Sequence, residues 1–370
     1  MKARLLIVKK LLEISFLIFA LFVVSEACAA TQQVSLLLDS APSGNGSYND
    51  ICANGLKLVR EKYHTTLMTK IYAPDNTQSD PREILLDAAK NSAFVVIAGY
   101  IYPTYLPEAV SAAPNARFLV ANGDADKLTG VTRVTFRDEE GAFLAGALAA
   151  LATNQSDFLK INDRRAAGIV LGVKAAAMER FEKGFRAGVR YIDKNKNTFC
   201  DYTGSFSDKD AAATAAAKQI GDGAGVIFVA AGSAGEGVII LAKSDQNFWV
   251  IGVDSEQESV NGDVVLTSMV KRTDKVILNM TDAFMNGTLK DDDVSVGLAE
   301  EAVVLSTWSD AAQQNIPLAI RAQLDDISKK IQNGEITING TSSSGCNVGV
   351  GAFALFAAVS AVVLIKHRNK

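Results

Sequence analysis

Short apolar runs rich in β-branched residues alternate along this chain with longer segments whose apolar positions recur every three or four residues. The first pattern fits buried strands and the second amphipathic helices. It predicts strands over 34–38, 66–72, 94–98, 118–121 and 131–135, with helices over 52–63, 82–91 and 139–152. In the last helix Phe143, Leu144, Ala147, Leu148 and Leu151 share one face. A second series repeats the pattern, with strands over 167–172, 198–202, 226–230 and 248–253 and helices over 175–191, 209–221 and 235–244. Alternation of this kind builds parallel sheets, because parallel neighbours need a helical crossover. Two similar lobes follow. A strand over 264–270 and a helix over 274–286 are then expected to return to the first lobe. An amphipathic helix over 316–333, stopped by Gly334, and a short strand over 336–338 complete the body. No short-period repeat is present.

Composition narrows the function. The chain has 370 residues, 48% hydrophobic and 21% charged, enough for one large or two medium domains with real cores. The formal net charge is -4, and the basic residues concentrated at the two ends conceal a more acidic body. Such a body lacks the cationic surface that neutralises phosphates, which argues against a nucleic-acid partner.

Both ends read as targeting elements. Lys2, Arg4, Lys9 and Lys10 precede an apolar run over 14–24, and Ala27-Cys28-Ala29 fits a small-x-small cleavage site, so 1–30 reads as an export signal. Lipidation at Cys28 is the rival reading, but Ser25-Glu26-Ala27 departs from the Leu and small neutral residues it needs. At the other end a spacer and linker containing Gly345-Cys346 (341–347) lead into an apolar stretch, 348–365, about long enough to span a bilayer. Lys366, His367, Arg368 and Lys370 follow, and positive charge stays inside, so the body would lie outside the cell membrane. This tail resembles the Synerg-CTERM sorting tails, which implies recognition by a membrane sorting protease; a plain, unprocessed anchor is the alternative. Lipidation at Cys346 is left open. The body keeps two cysteines, Cys52 and Cys200, which fall in different lobes and are expected to be unpaired, and one histidine, His64. No metal-ligand spacing appears.

Candidate chemistry sits where strands end. Tyr202 to Asp208, the Gly-rich turn Gly232 to Gly237, Asp254 and Lys271 each follow an apolar strand, the place where open α/β sheets bind small molecules. One aromatic, one glycine turn, one carboxylate and one lysine suit a flat, hydroxylated ligand such as a nucleoside. The turn lacks the Lys-Ser/Thr of a nucleotide-hydrolysing loop. No nucleophile pairs with His64, so an enzyme, such as one that cleaves nucleosides, is the weaker reading. Phe206 as a core side chain and Asp254–Lys271 as a purely structural ion pair are the plainer alternatives.

Phe136-Arg137-Asp138-Glu139-Glu140-Gly141-Ala142-Phe143-Leu144-Ala145-Gly146, Phe185-Arg186-Ala187-Gly188 and Tyr202-Thr203-Gly204-Ser205-Phe206-Ser207-Asp208 stand in order at family spacing. With them the body resembles the basic membrane protein (BMP) family of ABC-transporter substrate-binding proteins, which includes the purine nucleoside receptor. The resemblance implies a two-lobed type I periplasmic binding protein fold, with lobes at about 31–138 plus 264–295 and about 139–263 plus 296–340. It implies that Tyr48 and Phe206 stack on a base, that Asn49 reads its edge and that Asp39 faces the cleft. Asp254 would accept from ribose hydroxyls and Lys271 would donate nearby, keeping Asp254 ionised. Gly232 and Gly235 would offer backbone N–H groups. Where the family usually has Asp, this chain has Asn122, which can donate as well as accept, so base preference could differ.

The expectation is an exported, membrane-tethered monomer, periplasmic or cell-surface, that closes over a nucleoside, most simply a purine, and delivers it to an ABC permease. It needs no cofactor. A surface adhesin or antigen, or a tethered ligand sensor, on the same fold is the alternative.

Overall fold

The computed structural model describes residues 32–338, apart from 43, 45, 76–79, 123–124, 156–160, 162 and 246. The expected export signal, Gly345, Cys346 and the apolar stretch 348–365 lie outside the described residues. Among the described residues no helix is long and apolar enough to cross a membrane.

The chain begins with β1 (Gln32–Leu37), α1 (Tyr48–Lys62), β2 (Leu67–Tyr72), α2 (Pro81–Asn91), β3 (Phe94–Ile97), α3 (Leu106–Ala112), β4 (Arg117–Ala121) and β5 (Val131–Phe136). It continues with α4 (Asp138–Asn154), β6 (Ala166–Leu171), α5 (Ala176–Ile192), β7 (Thr198–Tyr202), α6 (Lys209–Gly221), β8 (Ala224–Ala230), α7 (Gly235–Asp245) and β9 (Trp249–Asp254). Then come α8 (Glu258–Asn261), β10 (Val265–Lys271), α9 (Thr273–Met285), β11 (Asp293–Val296), β12 (Val303–Leu305), α10 (Asp310–Asn315) and α11 (Leu318–Gln332). Local signals set many boundaries: Asp80 and Asp208 cap the starts of α2 and α6 by accepting from Arg82 N and Ala211 N.

Two six-stranded sheets result, one ordered β11-β5-β4-β3-β1-β2 and the other β12-β10-β9-β8-β6-β7. Place by place they correspond. The pairings in the first sheet are parallel; in the second only β12 runs antiparallel, against β10. β8, β9 and β10 are buried along their whole length, as strands covered on both faces must be, which is why they read as unbroken apolar runs.

The strand over 264–270 does not return to the first lobe: β10 pairs with β9 in the second sheet. The helix behind it makes the crossing, since α9 packs on α1, β3 and β4. Conversely α4 leaves β5 to pack on α5, β6 and β8. Each lobe therefore receives a helix from the other. The sequence pattern missed β11, which joins β5 at the edge of the first sheet, because its half-exposed residues form no apolar run. Residues 336–338 form no strand; Glu335 N and Ile336 N instead donate to Lys330 O, closing the end of α11.

α4 and α5 meet backbone to backbone. A Cβ on Gly146 would stand 2.1 Å from Phe185 O, on Gly184 2.3 Å from Glu139 O, and on Gly188 2.0 Å from Phe143 O. No side chain fits such gaps. The glycines of two of the family-like sequence segments thus form a helix-packing seam.

Among the described residues three chain crossings join the lobes, at 136–138, 271–273 and 296–303. They are laced together: Arg137 N donates to Val296 O and Arg272 N to Ala302 O, while the Arg137 guanidinium pairs with both Glu140 and Glu300.

Candidate functional site

The carboxyl ends of the strands of both sheets bring most of the candidate residues to one cleft. Asn122 follows β4 and Asp254 ends β9, the corresponding strands of the two lobes. Both adopt left-handed backbone with φ 67°, a conformation that Asn and Asp tolerate better than most other non-glycine residues. The Asn122 side-chain carbonyl is buried with no hydrogen-bond partner among the described residues. Buried orphan acceptors are rare, and this one is a ready receiver for a ligand donor.

From the first lobe, Tyr48 reaches under the strand ends, its hydroxyl donating to Ala121 O at 3.0 Å. Lys271 Nζ of the second lobe lies 5.6 Å from the centre of the Tyr48 ring, 5.6 Å from Phe181 and 4.7 Å from Phe136. This ammonium is only 2% exposed, and its ion-pair partner is Asp138 at 2.8 Å. Arg180 approaches the other Asp138 oxygen at 3.5 Å. Lys271 was expected to serve Asp254 and does not pair with it. Asp138, from the first turn of α4, is nearer in space although far in sequence.

The consequence for Asp254 is electrostatic. Burial pushes its carboxyl up to about 6; Lys271 opposes the rise and Asp138 adds to it. Asp39, at the end of β1, also stands at about 6, raised by burial and held back by the N–H groups of Tyr100 and Ile101. Ile101 N donates to Asp39 Oδ1 at 3.3 Å. Burial likewise raises the Tyr48 phenol well above its ordinary value.

Phe206 enters from the loop after β7. Its ring lies against Gly172, where a Cβ would come within 2.2 Å of the ring carbons, and Gly232 sits beneath its backbone in left-handed conformation, φ 59°. Ser233 Oγ and Ala234 N both donate to Phe206 O, at 3.0 Å each. The ring is held from below and half-buried, not lost in the core. Across the cleft Tyr100 meets it edge-on, ring centres 5.5 Å apart and planes at 61°. Ser255 Oγ donates to Gly46 O, a further contact between the lobes.

Two expected residues are otherwise engaged. Asn49 Nδ2 donates to Ser40 O at 3.1 Å and to Ser40 Oγ at 2.9 Å, fastening the loop before α1. The Gly235 N–H donates to Gly232 O and Ser233 O, and the residue packs against Val229. Its N–H is spent on the turn. Tyr100, Asp138, Gly172 and Ser255 were missed. Tyr100 carried a usable signal, since it follows an apolar strand as the other cleft residues do; Asp138 lay hidden inside a packing motif. Cys52 is buried and Cys200 half-buried, both free thiols, as expected. Among the described residues no cluster could hold a metal ion.

Residues 31–342 match the family described as Bmp: ABC transporter substrate-binding protein PnrA-like. The chain belongs to this family. Basic membrane protein A of Borreliella afzelii is 28% identical over 317 residues, covering 83% of this chain and 91% of its own. The ABC transporter nucleoside-binding protein BmpA of Lactococcus lactis subsp. cremoris (strain MG1363) is 33% identical over 202 residues, covering 49% of this chain and 55% of its own. Among solved structures, an ABC transporter solute-binding protein from Aeropyrum pernix K1 superposes with a TM-score of 0.74 at 21% identity, covering 83% of this chain and 92% of that one. That likeness supports the two-lobed binding-protein fold. The chain is thus a substrate-binding protein of an ABC transporter, working outside the cytoplasm: it takes up a small molecule for a membrane permease and is not an enzyme.

Proposed function

We propose that the small molecule is a nucleoside, captured between the lobes and passed to the permease by a monomer tethered to the membrane through residues 348–365. The observation that carries this reading is the Phe206 ring, propped on Gly172 and Gly232 and met by an aromatic side chain of the other lobe, Tyr100. Stacking on such rings contributes about 1–3 kcal/mol per base. Around it stand the groups a nucleoside requires: the Asn122 amide for a base edge, and Asp254, whose ionised form accepts from vicinal hydroxyls. The printed name of the Lactococcus relative agrees. The tail, with Gly345 and Cys346 as its sorting element, supplies the anchor and a substrate for a sorting protease.

The test is thermal denaturation of the purified protein with purine and pyrimidine nucleosides, free bases, ribose and amino acids. A ligand that binds only the folded state raises the melting temperature. Nucleosides alone should shift it, and Phe206→Ala should abolish the shift without unfolding the protein. Stabilisation by ribose or an amino acid but no nucleoside would overturn the reading.

A further inference from the structure

We propose that Tyr100 is a ligand-contacting wall of the cleft, the outer aromatic that closes against Phe206 and holds the base in place. This rests on the nucleoside reading. Tyr100 is 56% exposed, unusual for so large a ring on so firmly held a backbone. Gly99 N donates to Leu37 O behind it, and the Asp39 carboxylate accepts from the Tyr100 and Ile101 N–H groups. Two residues on, Tyr102 is wholly buried with its hydroxyl on Leu38 O at 2.8 Å. Gly99 makes this pedestal possible: a Cβ there would stand 2.5 Å from Asp39 Oδ1 and 2.8 Å from the Tyr102 ring.

The Tyr100 ring meets an aromatic of the opposite lobe, Phe206, edge-on. A T-shaped contact covers less of the Phe206 ring than a stacked one, so a base entering the cleft meets that ring beside Tyr100. Tyr48, the other aromatic at hand, has its hydroxyl on Ala121 O and its ring beside Lys271. Tyr48 therefore lies deep in the cleft and Tyr100 at its rim. A ring at the rim that contacts the other lobe only on closure acts on escape of the ligand. Its removal speeds dissociation more than it slows association.

The experiment is calorimetric titration and stopped-flow dissociation of inosine and uridine with wild type, Tyr100→Ala and Tyr100→Phe. Tyr100→Ala should bind about tenfold more weakly, chiefly through faster dissociation, with Tyr100→Phe near wild type and all three melting alike without ligand. Unchanged affinity in Tyr100→Ala would overturn the inference alone. Equal weakening in Tyr100→Phe would overturn the ring as the agent in favour of the hydroxyl. A wild type that binds neither nucleoside removes the proposed function, and this inference with it.

Discussion

In the first lobe α9 arrives from the opposite sheet and lies along α1 with a single glycine, Gly55, at the contact; in the second, α4 arrives and lies along α5 with Gly146, Gly184 and Gly188 there. The first seam is polar: Asn54 donates to Asp274 at 3.0 Å, and Lys62 and Tyr63 donate to Asp282 at 2.6 and 2.7 Å. The second is mostly apolar, with α4 buried along almost its whole length, and its charged contact is confined to one end, where Arg180 of α5 approaches Asp138 of α4. The strand ends differ in the same sense. Corresponding strands β5 and β10 end in Phe136 and Lys271, and the corresponding left-handed residues are an amide, Asn122, and a carboxylate, Asp254. Sheet order alone therefore does not make the lobes chemically equivalent. The second lobe is the charged half of the site, and the first supplies neutral and aromatic groups around one raised carboxyl, Asp39.

The largest test of this contrast is Lys271→Met. It leaves Asp138, 0% exposed, beside Arg180 alone, and breaking such a pair on one side removes about 3–5 kcal/mol. Urea denaturation measures it. Asp138→Asn in the same chain should restore a substantial part, and failure to do so would deny that the pair is what holds the second lobe.

The next effect is pH dependence. Asp254 moves from an ordinary 3.8 to about 6 in the folded protein, so the folded state binds the proton more tightly than the unfolded one. Its contribution to stability is full below about pH 4 and is lost as pH rises through about 6, a swing of about 3 kcal/mol at most. Nucleoside affinity should run the other way, rising through that window, because ligand hydroxyls need the ionised carboxylate. Asp254→Asn should flatten the affinity slope and remove about half of the stability slope, because Asp39 in the first lobe, also raised to about 6, remains. Melting temperature and calorimetric affinity from pH 4.5 to 7.5 read this; parallel slopes would contradict a ligand on Asp254.

The smallest effect separates the seams. Gly188→Ala forces a Cβ to 2.0 Å from a backbone oxygen, whereas Gly55→Ala meets its nearest atom at 2.9 Å. Overpacking of this sort costs about 1–3 kcal/mol, with Gly188 at the upper end and Gly55 at the lower. Equal losses in denaturation would mean the two seams are not different in kind.

Much of this was legible beforehand. Apolar spacing revealed the alternation of strands and helices because burial on both faces of β8 or β9 leaves its mark residue by residue. The positions of Phe206, Asn122 and Asp254 followed, since a strand end is a local feature. The glycines of the family-like segments were visible too, but nothing local says whether a glycine lies beside a cleft side chain, as Gly232 does under Phe206, or against a neighbouring helix, as Gly188 does.

By itself the sequence determined the element types, the two-lobed plan, the family and the places where chemistry could sit. Only the tertiary structure decided that β10 stays in the second sheet, that Lys271 takes Asp138 rather than Asp254, that Asn49 and the Gly235 N–H are already engaged, and that Tyr100 meets Phe206. The physical reason is range. Periodicity and capping act within a few residues, whereas the partner of a buried charge or ring is whatever the closing lobes bring within a few ångströms.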